Sequence, residues 1–139
     1  MIAVDASVVI AAFATWHERH EPAARLIVER PALPAPVALE VYAVLTRMPP
    51  PHRMDGGVVR DYLKRTFPDP PLTLPDSRYA SLVDELVDLG INGGASYDAA
   101  IAIVAAHHGC ELATLDRRAQ MTYDRVGVSV RHLVQAGAD

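Results

Sequence analysis

Asp98 and Asp116 flank a stretch whose order of residues decides whether they can work together: Ser-Tyr-Asp-Ala-Ala-Ile-Ala-Ile-Val-Ala-Ala-His-His-Gly-Cys-Glu-Leu-Ala-Thr-Leu-Asp, starting at Ser96. Two carboxylates that face one cleft repel unless a proton or a cation sits between them, so acid and base work or metal binding is the chemistry in question. Ser96 is a good N-cap, Ala99 to Ala106 carry no polar interruption, and Gly109 stands where helices end in a left-handed residue. The pattern predicts a helix over about Tyr97 to His108 and a strand over Glu111 to Leu115. Such a helix climbs roughly 16 Å and the strand returns roughly 16 Å, so the chain comes back to its starting level. Asp98 and Asp116 are therefore expected at one edge of a sheet, beyond the carboxyl ends of its strands, where open α/β sheets bind ligands.

Asp5 and Glu40 are the other acids whose surroundings are unusual. Asp5 closes the apolar run Met1 to Val4, which reads as a central parallel strand, so it too falls at a carboxyl end. A turn-capping role is the alternative for Asp5 taken alone. Glu40 interrupts an apolar helical series, Val37, Ala38, Leu39, Val41, Ala43, Val44 and Leu45, with Pro36 in the first turn and the helix running to about Arg47. It lies either on a solvent face or in a cleft; apolar neighbours at three- and four-residue spacing favour the cleft. His17, Glu18 and His20 belong to a polar loop, and a solvated loop is the reading for them.

The elements that must position these acids alternate along the chain. After the first strand come a short apolar helix over Val8 to Phe13 and a helix from Pro22, with Ala23, Leu26 and Ile27 inward, closed by Arg30 and Pro31. Leu33 to Pro36 is short and extended. Met48 to Gly57, with three consecutive prolines, is a loop, either a surface excursion or a partner contact. Val58 to Arg65 reads as a helix and Leu72 to Leu74 as a strand. Asp76 caps a helix with Tyr79, Leu82, Val83, Leu86 and Leu89 inward, stopped by Gly90, while Asp84, Glu85 and Asp88 form its solvated face. Beyond Asp116 a polar helix or turn reaches Asp124, and a last strand covers about Val126 to Val130. The class expected is α/β with a mainly parallel sheet of about five strands, one domain over residues 1–139.

Bulk properties bound the rest. The chain has 139 residues, 50% of them hydrophobic and 22% charged, which suits one domain with a real core. Met1 to Val4 has no basic leader and no apolar run reaches membrane-spanning length, so neither a signal peptide nor a membrane partner is expected. The single cysteine, Cys110, excludes an internal disulfide and a cysteine-rich zinc site, fits a reducing cytoplasm, and reads as a small buried strand residue. A net charge of −4 argues at first against a nucleic-acid partner. Setting Asp5, Glu40, Asp98 and Asp116 aside as a metal site leaves 13 of the 17 acids against 13 basic residues. Bound cations would then supply positive charge where phosphate approaches. Oxygen donors without cysteine or a convincing histidine set select Mg²⁺ or Mn²⁺ over zinc, and such ions activate water for phosphodiester hydrolysis.

Four segments together resemble the PIN-domain family, and within it the VapC-type toxin ribonucleases of type II toxin–antitoxin pairs. They are Ile-Ala-Val-Asp-Ala-Ser from Ile2, Val-Ala-Leu-Glu-Val-Tyr from Val37, Ser-Tyr-Asp-Ala-Ala-Ile-Ala from Ser96 and Leu-Ala-Thr-Leu-Asp-Arg-Arg from Leu112. The resemblance covers essentially the whole chain and implies a three-layer α/β/α PIN-like fold. It implies that Asp5, Glu40, Asp98 and Asp116 match the acidic quartet that holds Mg²⁺ or Mn²⁺, with Ser7 and Thr114 as supporting hydroxyls. Alternation along a strand puts Thr114 on the face of Asp116, which fits either support for that carboxylate or plain strand packing. Arg117, Arg118 and Ala119 stand where family members often carry a further acid, which leaves one or two metal ions open. Arg117 or Arg118 could touch RNA phosphate or be exposed helix-start arginines. The resemblance also implies endonucleolytic cleavage of structured RNA, tRNA or rRNA, to 5′-phosphate and 3′-hydroxyl ends. A homodimer and neutralisation by a cognate VapB-type antitoxin belong to the same implication. Two rivals remain at this level. One is a non-catalytic RNA-binding or interaction module of the same fold. The other is a phosphatase forming an aspartyl-phosphate at Asp5, which would want an acid where Ser7 stands and a lysine nearby, Lys64 being the only one.

Overall fold

A computed structural model describes residues 1–134. Its centre is a parallel sheet in the order β1 (Ile2–Val4), β2 (Glu111–Thr114), β3 (Val130–His132), with Ala3 opposite Leu112 and Ala113 opposite Arg131. The expected five strands are reduced to these three among the described residues. The two outer segments are extended but meet the sheet only at single parallel bridges, Ala32 on Ala3 and Leu72 on Pro34. Prolines 31, 34 and 36 around the first and 70 and 71 before the second remove the N–H donors a longer ladder needs. The bonds left are good ones: Ala32 N–H to Ile2 O at 2.8 Å and Leu72 N–H to Leu33 O at 2.8 Å.

Eight α-helices wrap this sheet among the described residues: α1 (Ala6–Phe13), α2 (His20–Val28), α3 (Ala35–Arg47), α4 (Gly56–Thr66), α5 (Asp76–Ala80), α6 (Leu82–Leu89), α7 (Ala95–His107) and α8 (Gln120–Val126). A 3₁₀ turn over Arg117–Ala119 leads into α8. The middle of α7 is buried through Ala99, Ile101, Ala102, Ile103, Val104 and Ala105, as its unbroken apolar sequence demands, and the helix packs on β2, α3, α6 and α8. Gly109 ends it at φ 67°, the left-handed position foreseen for it. The core joins Val4, Leu112 and Ala113 of the sheet to Val8 and Val9 of α1, Val37, Val41 and Leu45 of α3, Ile101 of α7 and Tyr123 of α8. Each valine, leucine or isoleucine among them contributes about 1.5–3 kcal/mol by leaving water. Cys110 is buried beside β2 as expected, and no described helix is long and apolar enough to cross a membrane.

Several local expectations are corrected. α7 begins at Ala95, so Ser96 lies inside the first turn and makes no capping bond. The helix expected after Asp76 is two, broken at Ser81, whose hydroxyl bonds back to Arg78 O at 3.1 Å. The break turns Tyr79 and Val83 out to solvent, leaving Leu82, Leu86 and Leu89 half-buried. α4 starts two residues early because the Asp55 carboxylate caps it by accepting from Gly57 N–H. Val126 ends a helix rather than starting a strand: Gly127, at φ 87°, stops α8 and the strand begins only at Val130.

Candidate active site

Asp5 follows β1 and caps α1, with its N–H on Ala113 O at 3.1 Å. Only 3% of it is exposed. Its Oδ1 accepts from Ser7 Oγ at 2.5 Å and Val8 N at 3.3 Å, and its Oδ2 accepts from the Tyr123 hydroxyl at 2.8 Å. Burial pushes the Asp5 carboxyl above the usual range, while the hydroxyls of Ser7, Thr114 and Tyr123 and the Val8 N–H work in the opposite sense. Burial and the neighbouring Asp5 carboxylate also drive the Tyr123 phenol well upward, so it stays a donor.

Ser7 and Thr114 tie the loop after β1 to the loop after β2. Leu115 N–H donates to Ser7 Oγ at 2.9 Å, Asp116 N–H donates to Thr114 Oγ1 at 2.9 Å, and the two hydroxyl oxygens lie 3.4 Å apart. Thr114 is wholly buried. Asp116 caps the 3₁₀ turn by accepting from Arg118 N–H at 2.9 Å, and its Oδ1 also lies 3.4 Å from Arg118 Nε. That guanidinium is 95% exposed, so the pair is solvent-screened. Arg117 is exposed as well.

Glu40 and Asp98 come from helices. Glu40 sits in the second turn of α3 and Asp98 in the first turn of α7, both half-buried. Burial first, then repulsion from Asp98 and Asp5, raises the Glu40 carboxyl, with a smaller push from Asp116 and opposition from Arg47. Burial, then Asp116, then Asp5 raises Asp98. The four acids thus lie within one another's field at the carboxyl edge of the sheet, the placement their sequence positions predict. Among the described residues no three acidic, histidine or cysteine side chains stand close enough together to hold a metal ion as they are placed. The donors gathered here are carboxylates and hydroxyls alone, a set that suits a hard divalent cation such as Mg²⁺ or Mn²⁺. Cys110 precedes β2, at the opposite end of that strand. His17, in the expected loop, and His20, which instead opens α2, are used locally: Arg19 N–H donates to His17 Nδ1 at 3.0 Å, and His20 Nδ1 lies 2.9 Å from Ala11 O.

Tyr123 is the site residue that sequence reading passed over. Ala119, Tyr123 and Val126 at four- and three-residue spacing carry the signal for an inward face on α8. The hydroxyl's destination, 118 positions upstream, carries none. Beside Glu40 a cleft of about 1190 Å³ opens between α3, α5, α6 and α7, lined by Leu39, Val44, Tyr79, Leu82, Leu86 and Tyr97 among others. Leu39 is 74% exposed there, although the sequence counted it in an apolar series.

Residues 2–126 match the family model described as PIN domain. The chain is 45% identical over 130 residues to Ribonuclease VapC40 of Mycobacterium tuberculosis, covering 94% of this chain and 97% of that one. It is 38% identical over 130 residues to Ribonuclease VapC27 of the same organism, covering 93% and 94%. In fold it resembles a crystal structure of FitAcB from Neisseria gonorrhoeae, with a TM-score of 0.64 at 19% identity over 94% of this chain and 96% of that one. It also resembles FitAB bound to an IR36 DNA fragment, with a TM-score of 0.59 at 17% identity over 99% of this chain and 100% of that one. The acidic edge of the sheet therefore sits in a known architecture, and the chain belongs to the PIN-domain family, on its VapC branch.

Proposed function

We propose that this chain is a divalent-metal-dependent endoribonuclease, the toxin of a type II toxin–antitoxin pair, acting on structured RNA such as tRNA or rRNA. The observation that carries the reading is the meeting of Asp5, Glu40, Asp98 and Asp116 at one sheet edge with mutual charge repulsion. The ribonuclease names of the VapC relatives support it. Asp5, Asp98 and Asp116 would hold Mg²⁺ or Mn²⁺, with Glu40 as a further ligand or as the group that orients water. The chemistry the cation supplies when bound is polarisation of the phosphodiester and activation of water at neutral pH.

The chain's own groups do the rest. Asp5 is held rigidly by its three donors, and Ser7 and Thr114 keep the Asp5 and Asp116 loops in register. Glu40, half-buried beside the other acids, would accept a proton from attacking water. Arg117 and Arg118, exposed at the rim, are placed to contact RNA phosphate. We assign the cleft beside Glu40 to protein partners, with the chain working as a homodimer neutralised by a VapB-type antitoxin. Its exposed Leu39, Tyr79 and Tyr97 support that assignment. A phosphatase working through Asp5 is disfavoured, because three donors already occupy that carboxylate and water hardly reaches it.

The test is to incubate the free protein with end-labelled total RNA in Mg²⁺, Mn²⁺ or chelator and map the cut ends. Cleavage should need the metal, leave 5′-phosphates, and fall at least roughly a hundredfold in Asp98→Asn. Undiminished cutting by that variant, or cutting in chelator, sinks the reading.

A further inference from the structure

A carboxylate offers about four lone-pair sites, two on each oxygen. At Asp5, Ser7 Oγ and Val8 N–H fill both sites on Oδ1, and the Tyr123 hydroxyl fills one on Oδ2. The Thr114 hydroxyl also favours the ionised carboxylate, so at most one acceptor site is left. From this count we infer that Tyr123 is a positioning residue that confines Asp5 to single-oxygen ligation through Oδ2 and so biases the site toward a small octahedral cation over calcium. The inference rests on the metal reading above and adds to it the device that discriminates between ions. Packing alone does not call for a hydroxyl at this place. Tyr123 is wholly buried, and a phenylalanine ring would fill the same space between α8 and the core.

The ions differ in what they ask of a carboxylate. Calcium takes many oxygens in flexible geometry and readily grips both oxygens of one carboxylate, whereas Mg²⁺ and Mn²⁺ favour octahedral sets built from single oxygens and water. Ser7 is held in turn by Leu115 N–H, so its hydrogen is directed onto Asp5. With Oδ1 tied down on one side and Oδ2 on the other, the carboxylate cannot turn to present both oxygens outward. Without the Tyr123 hydroxyl, Oδ2 gains a second free site and the group regains rotation about its last bond.

Calorimetric titration of the free protein with MnCl₂ and, separately, with CaCl₂ tests this in the unaltered chain and in Tyr123→Phe, with circular dichroism and a thermal melt for each. We expect the Mn²⁺ dissociation constant to rise roughly tenfold in Tyr123→Phe. Ca²⁺ binding should hold or tighten, so that the preference between the ions narrows. Equal weakening toward both ions would reduce Tyr123 to packing and overturn the inference, as would unchanged binding of both. If the unaltered chain binds neither ion, the metal reading falls and takes this one with it; if it binds Mn²⁺ and the ratio does not move, only this inference falls. Should Tyr123→Phe not fold, Tyr123→Met, which fills the space without a hydroxyl, is judged by the same ratio.

Discussion

The two sides of the acidic cleft are built on opposite principles. Asp5 is sunk at the end of β1, bonded through both oxygens and continuous with the core through Tyr123. Glu40 and Asp98 stand half in water on helices, placed by α3 and α7 and raised first by burial and then by neighbouring charge, Glu40 by Asp98 and Asp5, and Asp98 by Asp116 and Asp5. The first carboxylate is therefore part of the fold as much as of the site. The helical pair is poised for chemistry at some cost in stability, since burial and repulsion both oppose its ionised form.

Substitutions on the two sides should separate these roles most sharply. Asp98→Asn removes a repelling charge, so it should lose roughly a hundredfold in cleavage rate while melting at the same temperature or higher. Asp5→Ala should lose as much activity but also melt lower. It leaves the Tyr123 hydroxyl and Val8 N–H without partners in the interior, at about 1–3 kcal/mol each. A matched pair of melts decides it, and equal stability of the two variants would erase the distinction.

The next effect is on pH and metal. The carboxyls of Asp5, Glu40 and Asp98 are raised in the folded chain, so the folded state holds protons that the unfolded chain has already released. Their contribution to stability is fully present below the ordinary carboxylate range and is lost as pH rises through the raised values. The chelator-treated protein should accordingly melt higher in mild acid than near neutrality. Mg²⁺ at about a hundredfold over its dissociation constant should restore about 2.7 kcal/mol near neutral pH. Melts in chelator that ignore pH would show the helical acids to be solvated after all. The smallest effect belongs to the rim. Arg118→Ala should shift stability by no more than about 0.5 kcal/mol, because its pairing with Asp116 is exposed. Its RNA affinity should fall measurably and lose part of its salt dependence.

What the sequence could convey follows the same division. The return from Asp98 to Asp116 was legible because an unbroken apolar helix, a left-handed glycine and a short strand fix the climb and the descent by backbone geometry alone. Asp5 was legible as a strand end. The number of strands was not, since hydrophobic pattern marks extended segments without saying whether prolines leave them donors for a ladder. Tyr79 and Val83 were misplaced because a one-face helical pattern assumes an unbroken helix, and Ser81 interrupts it. Tyr123 was missed because a tyrosine at helical spacing is satisfied by packing, and its bond to Asp5 depends on how two chain ends meet. Which cleft residues stay uncovered is likewise settled by tertiary packing.

The proline-trimmed outer segments have a consequence for how this chain behaves in a crowded cell. A flat, fully donating β-edge is a template on which a second unfolded chain can stack and grow toward a fibril. Here the segment around Leu72 follows Pro70 and Pro71 and is soon followed by Pro75, so an incoming strand would find hardly any amide hydrogens to grip. The same residues that cut the sheet short protect it from misassembly.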